Sequence, residues 1–188
     1  MYTKRGSRRL VICLPSWGVV IKLPLIQPLV FLRCLRDAIQ LAVKTGDAKR
    51  WFGWALWLDE ENDTMGNIRY TLLNGVYQNW QEFQLWRKTR SPFLEQTIFS
   101  LFGLLNIQRY GTPLEVPHDW LWSQLLDLTE KSVWSNGHHF SNPDNFSFRD
   151  NHIRMIDYGG GGIANVVEKY GAQIVARYDP NKKPSWAK

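Results

Sequence analysis

Cysteine is nearly absent from this chain: Cys13 and Cys34 are the only two in 188 residues. Both fall inside apolar stretches and show no C-x-x-C spacing. That excludes a disulfide framework and a thiolate zinc site, and leaves two buried free thiols of a reducing compartment. A long uninterrupted apolar run is also missing. Residues 10–35 come nearest, but Lys22, Pro15, Pro24 and Pro28 break the run, so no membrane span is expected. No cleavable leader is legible, and the expected location is the cytoplasm. Acidic residues are in deficit, 17 against 23 Lys and Arg, which leaves a formal charge of +6. Such a charge favours phosphates, nucleic acid or acidic proteins at long range without specifying a site. Part of the excess lies in Lys4, Arg5, Arg8 and Arg9 and in Lys182, Lys183 and Lys188, where solvated tails are expected. No internal repeat or low-complexity tract is present, and the length suits one domain or two small lobes sharing an interface.

What is plentiful is aromatic: ten Trp, nine Phe and seven Tyr. Core packing accounts for most of such a load, with some rings left for clefts or partner surfaces. Along the chain, β-branched runs at 9–14 and 18–23 flank Pro15-Ser16-Trp17 and read as a hairpin that Pro24 ends. Phe31, Leu32, Leu35, Ile39, Ala42 and Val43 recur at helical spacing through 29–44, with Thr45-Gly46-Asp47 as the stop. Residues 51–58 are aromatic-rich and fit either a strand or a short helix, and 59–66 read as an acidic loop. A second helix carries the stripe Val76, Trp80, Phe83 and Trp86, with Glu82 on its flank. Residues 97–101 and 104–109, hinged at Gly103, predict another hairpin, followed by the turn Tyr110-Gly-Thr-Pro113. A third helix is expected over 117–134 with Asn136-Gly137 as its stop. Two short strands, 146–148 and 153–156, then flank Arg149-Asp150-Asn151, and Gly159 to Gly162 lead into a last segment at 163–178. The class is α+β.

The segment "HHFSNPDNFSFRDNHIRMIDYGG", residues 138–160, carries the chemistry. His138, Pro143-Asp144-Asn145 and, after a strand-turn-strand, Asp157-Tyr158-Gly159 stand in a spacing that resembles the catalytic segment of protein kinases. The chain resembles the protein-kinase-like fold, in particular its small, divergent bacterial and viral members, specifically over 136–160 and loosely from Arg9 to Gly160. The resemblance implies a compact two-lobed fold with a much reduced C-terminal lobe. In it, about 9–110 form the N-terminal lobe with an insertion at about 28–66, and about 114–188 a minimal second lobe.

The resemblance also implies roles. Asn145 and Asp157 hold magnesium, since a hard divalent ion takes an amide and a carboxylate oxygen. Lys22 of "GVVIK" grips nucleotide phosphates, with Glu82 of "NWQEF" as its partner. The chain around Gln108 to Tyr110 faces the adenine of ATP, walled by Ile21 and Ile156.

Four departures accompany it. Phe140 occupies the position of the acid that orients the acceptor hydroxyl, and a phenyl ring accepts no proton; His138 and His139 are the only substitutes nearby. The one hairpin before Lys22, "LPSWG", is poor in glycine and covers phosphates badly. The stretch between Lys22 and the Glu82 helix is longer than the family's, and little chain follows Asp157 to hold a peptide. The expectation is a pseudokinase that modulates a partner protein, fitting a virus- or mobile-element-encoded modulator of a host protein, with Mg-nucleotide retained at most as a ligand. Its partner surface is expected in the insertion, where Trp51, Trp54 and Trp57 supply interface anchors. A second reading is an atypical active phosphotransferase with another base. A third, a basic nucleic-acid binder, lacks any basic helix or aromatic-basic repeat to support it.

Overall fold

The computed structural model describes residues 1–6, 8–26, 28–51, 73–160 and 162–184. Among the described residues two sheets and the five α-helices named below organise it. Strands β1 (Tyr2–Arg5), β2 (Arg9–Leu14), β3 (Val19–Pro24), β4 (Thr97–Ser100) and β5 (Asn106–Arg109) form an antiparallel sheet in the order β1-β2-β3-β5-β4. Strands β6 (Thr112–Pro113), β7 (Phe146–Arg149) and β8 (His152–Met155) form a second sheet in that order. The helices are α1 (Pro28–Thr45), α2 (Asn74–Thr89), α3 (His118–Leu128), α4 (Gly137–Phe140) and α5 (Ile163–Arg177). Among the described residues no helix is long and apolar enough to cross a membrane.

The predicted β2–β3 hairpin forms, and Pro15–Trp17 makes the single helical turn between its strands, closed by Gly18 in the left-handed region. The β7–β8 hairpin turns through Asp150 and Asn151, both at positive φ, as short polar side chains tolerate.

Two expectations need correction. The basic N-terminus is no free tail: residues 2–5, though exposed, form β1 in register with β2, and Arg9 is only 7 % exposed. The third helix is shorter than 117–134. It ends at Leu128, the Thr129 hydroxyl binds back to the Leu125 carbonyl, and the chain reverses through Glu130 and Lys131 at positive φ.

The two sheets are filled differently. Around the second, a hydrophobic core gathers Phe93, Leu121, Leu125, Phe146, Ile153, Met155, Ile163 and Ile174 from α3, α5, the β7–β8 hairpin and the segment before β4. The five-stranded sheet instead turns a polar face toward α2. The register sets Arg9 opposite Pro24 and Lys22 opposite Asn106, so strand alternation puts Arg9, Lys22, Asn106 and Gln108 on one face, all buried. On α2 the stripe that goes inside is Asn74, Gly75, Asn79 and Glu82, at helical spacing, while the predicted aromatic stripe of Val76, Trp80, Phe83 and Trp86 is only half-buried. The periodicity is right and the buried face is the polar one. Gly103 fastens this helix to the β4–β5 hairpin: at φ +80° it lies so close to α2 that a Cβ would run into the Val76 carbonyl, and the Asn79 side-chain amide donates to the Gly103 carbonyl at 2.9 Å.

Candidate functional site

Four charged side chains converge where α2, the inner face of the large sheet and the end of β8 meet. Lys22 Nζ lies 2.9 Å from Glu82 Oε2 and 3.1 Å from Glu82 Oε1, and it also donates to the Ile156 carbonyl. Arg9 Nη1 donates to Glu82 Oε1 at 2.6 Å, and Arg9 Nη2 donates to Asp157 Oδ1. The Tyr158 backbone N–H adds a bond to Glu82 Oε1 at 3.3 Å. Glu82 is 0 % exposed, whereas the Asp157 side chain keeps 38 % of its surface open. Two cations and two carboxylates therefore close on one another.

Burial alone would cost Arg9, Lys22 and Glu82 several kcal/mol each, and mutual pairing offsets that cost. Burial lowers the pKa of Lys22, an effect that Glu82 opposes. Burial works against the charge of Arg9 too, but Asp157 and Glu82 outweigh it and raise its pKa. At Asp157 burial pushes upward, and the attraction of Arg9 and then Lys22 overrides it, holding the carboxyl down at about 2.

The Asp157-Tyr158-Gly159 segment is pinned against α2 and the large sheet. The Tyr158 hydroxyl donates to the Glu95 carbonyl and lies 2.7 Å from Thr97 Oγ1, and burial raises its pKa. Gly159 packs so closely on α2 that a Cβ would strike the Gln78 carbonyl. The β7–β8 hairpin brings Asn145 to the same end as Asp157, since the Ile156 N–H donates to the Asn145 carbonyl at 2.8 Å. The Asn145 side-chain amide donates to the His139 carbonyl at 2.9 Å and so braces the turn.

The two histidines differ. His138 is exposed, with its ring centroid 4.0 Å from that of His139. His139 is half-buried against Gly160, and burial followed by the neighbouring His138 lowers its pKa. Phe140 is 0 % exposed and belongs to the hydrophobic core.

Of the sequence-derived residues, Lys22, Glu82 and Asp157 meet in one cluster with Asn145 beside it. The remaining ones are engaged elsewhere. Gln108 is buried and its amide reaches the Glu95 carbonyl at 3.4 Å, while the Tyr110 N–H donates to the Gly18 carbonyl at 2.9 Å. Ile21 pairs with Ile107, and alternation turns it away from the Lys22 face. Ile156 contributes its carbonyl to Lys22. The "LPSWG" turn sits at the Tyr110 end of β3, away from the charge cluster, whereas the strand that enters the cluster is the start of β2. Trp54 and Trp57 lie outside the described residues.

Arg9 is the functional candidate that sequence reasoning missed. Its one signal was a cation two residues before an apolar strand interior, in phase with Val11 and Cys13. Its presence also bears on the metal that the resemblance implies. A divalent ion needs the Asp157 carboxylate as an anionic ligand, and here that oxygen accepts from Arg9. As arranged, that oxygen is not offered to a metal. Among the described residues no group of three or more His, Cys, Asp or Glu side chains is placed to hold one. Comparison with protein-family models, with curated proteins and with solved structures gives no match.

Proposed function

We propose that this chain is a catalytically silent kinase-like protein that acts by binding a partner protein. The five-stranded sheet with α2 is then one lobe, and the second sheet with α3 and α5 is a much reduced other lobe, joined through residues 110–113. What supports the kinase-like reading is a helix between the third and fourth strands whose Glu82 is paired to Lys22 of the third strand. Asn145 and Asp157 flanking one β-hairpin add to it.

The observation that carries the silent reading is Phe140. It stands five residues before Asn145, where the resemblance requires an acid, and it is packed into the core with no exposure. A positioned base is typically worth about a hundredfold or more in rate, and a buried phenyl ring supplies none. Lys22 adds to this, because its three ammonium donors face three protein oxygens and none is left for a phosphate.

Partner binding is supported by α1, within the insertion. Ala38 and Ala42 are buried with Phe31 and Leu35 beside them, while Leu29, Leu32, Ile39 and Val43 stand exposed along the adjoining face. A helix apolar on both arcs offers one of them to a partner.

A radiolabelled transfer assay with ATP and magnesium, run on the wild type beside Asp157→Asn, tests the silent half: label in protein or acceptor above the variant's background overturns it. For the partner half, proteins co-purified by the wild type should be lost with Leu32→Glu or Ile39→Glu and kept with Lys22→Met. The reverse pattern moves the interface to the cleft.

A further inference from the structure

We infer that Arg9 is a resident cation occupying the place beside Asp157 that a divalent ion would take, so that the cluster is built to stand without metal. The inference rests on the kinase-like reading only for the role assigned to Asp157; the geometry itself is independent of it. Three observations carry it. First, Arg9 is buried and comes from a different part of the chain than either acid, 73 residues from Glu82 and 148 from Asp157 in sequence. A side chain is held between two such distant carboxylates only if the fold is assembled around it. Second, the guanidinium is permanently charged and presents a fixed planar fork, which lets it serve two carboxylates at once in a way an ammonium does not. Third, the charge is already balanced: Lys22 answers Glu82 while Arg9 joins Glu82 to Asp157.

A metal ion entering at Asp157 Oδ1 would have to displace the guanidinium from that oxygen. That would leave a buried Arg with one carboxylate in place of two, a costly state. The strand that carries Arg9 is not free to withdraw it. Its backbone is held in the β2–β3 ladder opposite Pro24, and its carbonyl accepts from Gly6 at 2.9 Å. The first residue of β2 therefore delivers a positive side chain to the site.

The test is Mn²⁺ binding to the full chain, followed by electron paramagnetic resonance, for wild type, Asp157→Asn, Arg9→Gln and the Arg9→Gln/Asp157→Asn double variant. The wild type should bind Mn²⁺ no better than Asp157→Asn. Arg9→Gln should bind it roughly tenfold or more tighter, and the double variant should lose that gain. If Arg9→Gln does not fold, Arg9→Met, which removes the charge and keeps the apolar stem, is read in its place against Arg9→Met/Asp157→Asn. A wild-type Mn²⁺ site abolished by Asp157→Asn overturns the inference, and so does a folded Arg9 variant with no gain. A silent wild type holding Mn²⁺ at Asp157 sinks the inference alone; a wild type that transfers phosphate sinks the kinase-silent reading whichever way Mn²⁺ behaves.

Discussion

Lys22 on β3 and Glu82 on α2 lie 2.9 Å apart, with neither side chain open to solvent. The two partners are not equivalent, because Glu82 also serves Arg9 and the Tyr158 N–H. Glu82→Gln strips the pairing from two buried cations and should cost about 3–5 kcal/mol in urea unfolding. Lys22→Met leaves Glu82 with Arg9 and should cost clearly less. Equal losses in the two variants would mean that Arg9 does not share Glu82.

Phe140 is predicted to act as core. Phe140→Ala should lose about 3–5 kcal/mol, and Phe140→Leu much less. Phe140→Asp places a carboxylate in an apolar interior, so it should destabilise at least as much as Ala and restore no phosphate transfer. A well-folded, transferring Phe140→Asp protein would show that this position faces the cleft.

The depressed carboxyl of Asp157 gives stability a pH dependence of definite sign. Its folded pKa of about 2 lies below the unfolded value of about 3.9. The contribution is therefore fully present above about pH 4 and is lost as pH falls through 2. Partial exposure of the side chain keeps it modest. Asp157→Asn should be less stable than wild type at pH 7 and approach it as pH falls from 4 to 2. Parallel pH curves for the two proteins would remove Arg9 as the partner.

Gly103 sets the height of α2 over the sheet. Gly103→Ala should destabilise by about 1–3 kcal/mol from its left-handed backbone alone, with the clash on the Val76 carbonyl added. Because that helix carries Glu82, the variant should also weaken the protection of the Tyr158 amide in hydrogen exchange. Unchanged protection would separate the hairpin contact from the site.

How much of this was legible in the sequence depends on the range of the interaction. The β7–β8 hairpin around Asp150-Asn151 and the β2–β3 hairpin were readable, because turn chemistry and strand propensity are local. Lys22 and Glu82 were readable as a pair only through the order of anchors, since 60 residues separate them. Arg9 was not readable: among Lys4, Arg5 and Arg8 it looks like one more solvated charge, and what buries it is a meeting of β2, α2 and the end of β8 that no window of sequence contains. The same limit explains α2. Hydrophobic periodicity found the helix, but its inner face is chosen by the polar side chains of the sheet opposite, so Asn79 and Glu82 go inside while the aromatic residues take the flank.

The central claim is that Arg9 and Asp157 form a lasting pair in place of a metal contact. A double-mutant cycle of Arg9→Gln and Asp157→Asn, measured by denaturant unfolding with magnesium and again with EDTA, tests it most directly. The account predicts a coupling of about 1 kcal/mol that is the same in both conditions. No coupling in either condition, or a coupling that appears only in EDTA and vanishes with magnesium, would contradict it.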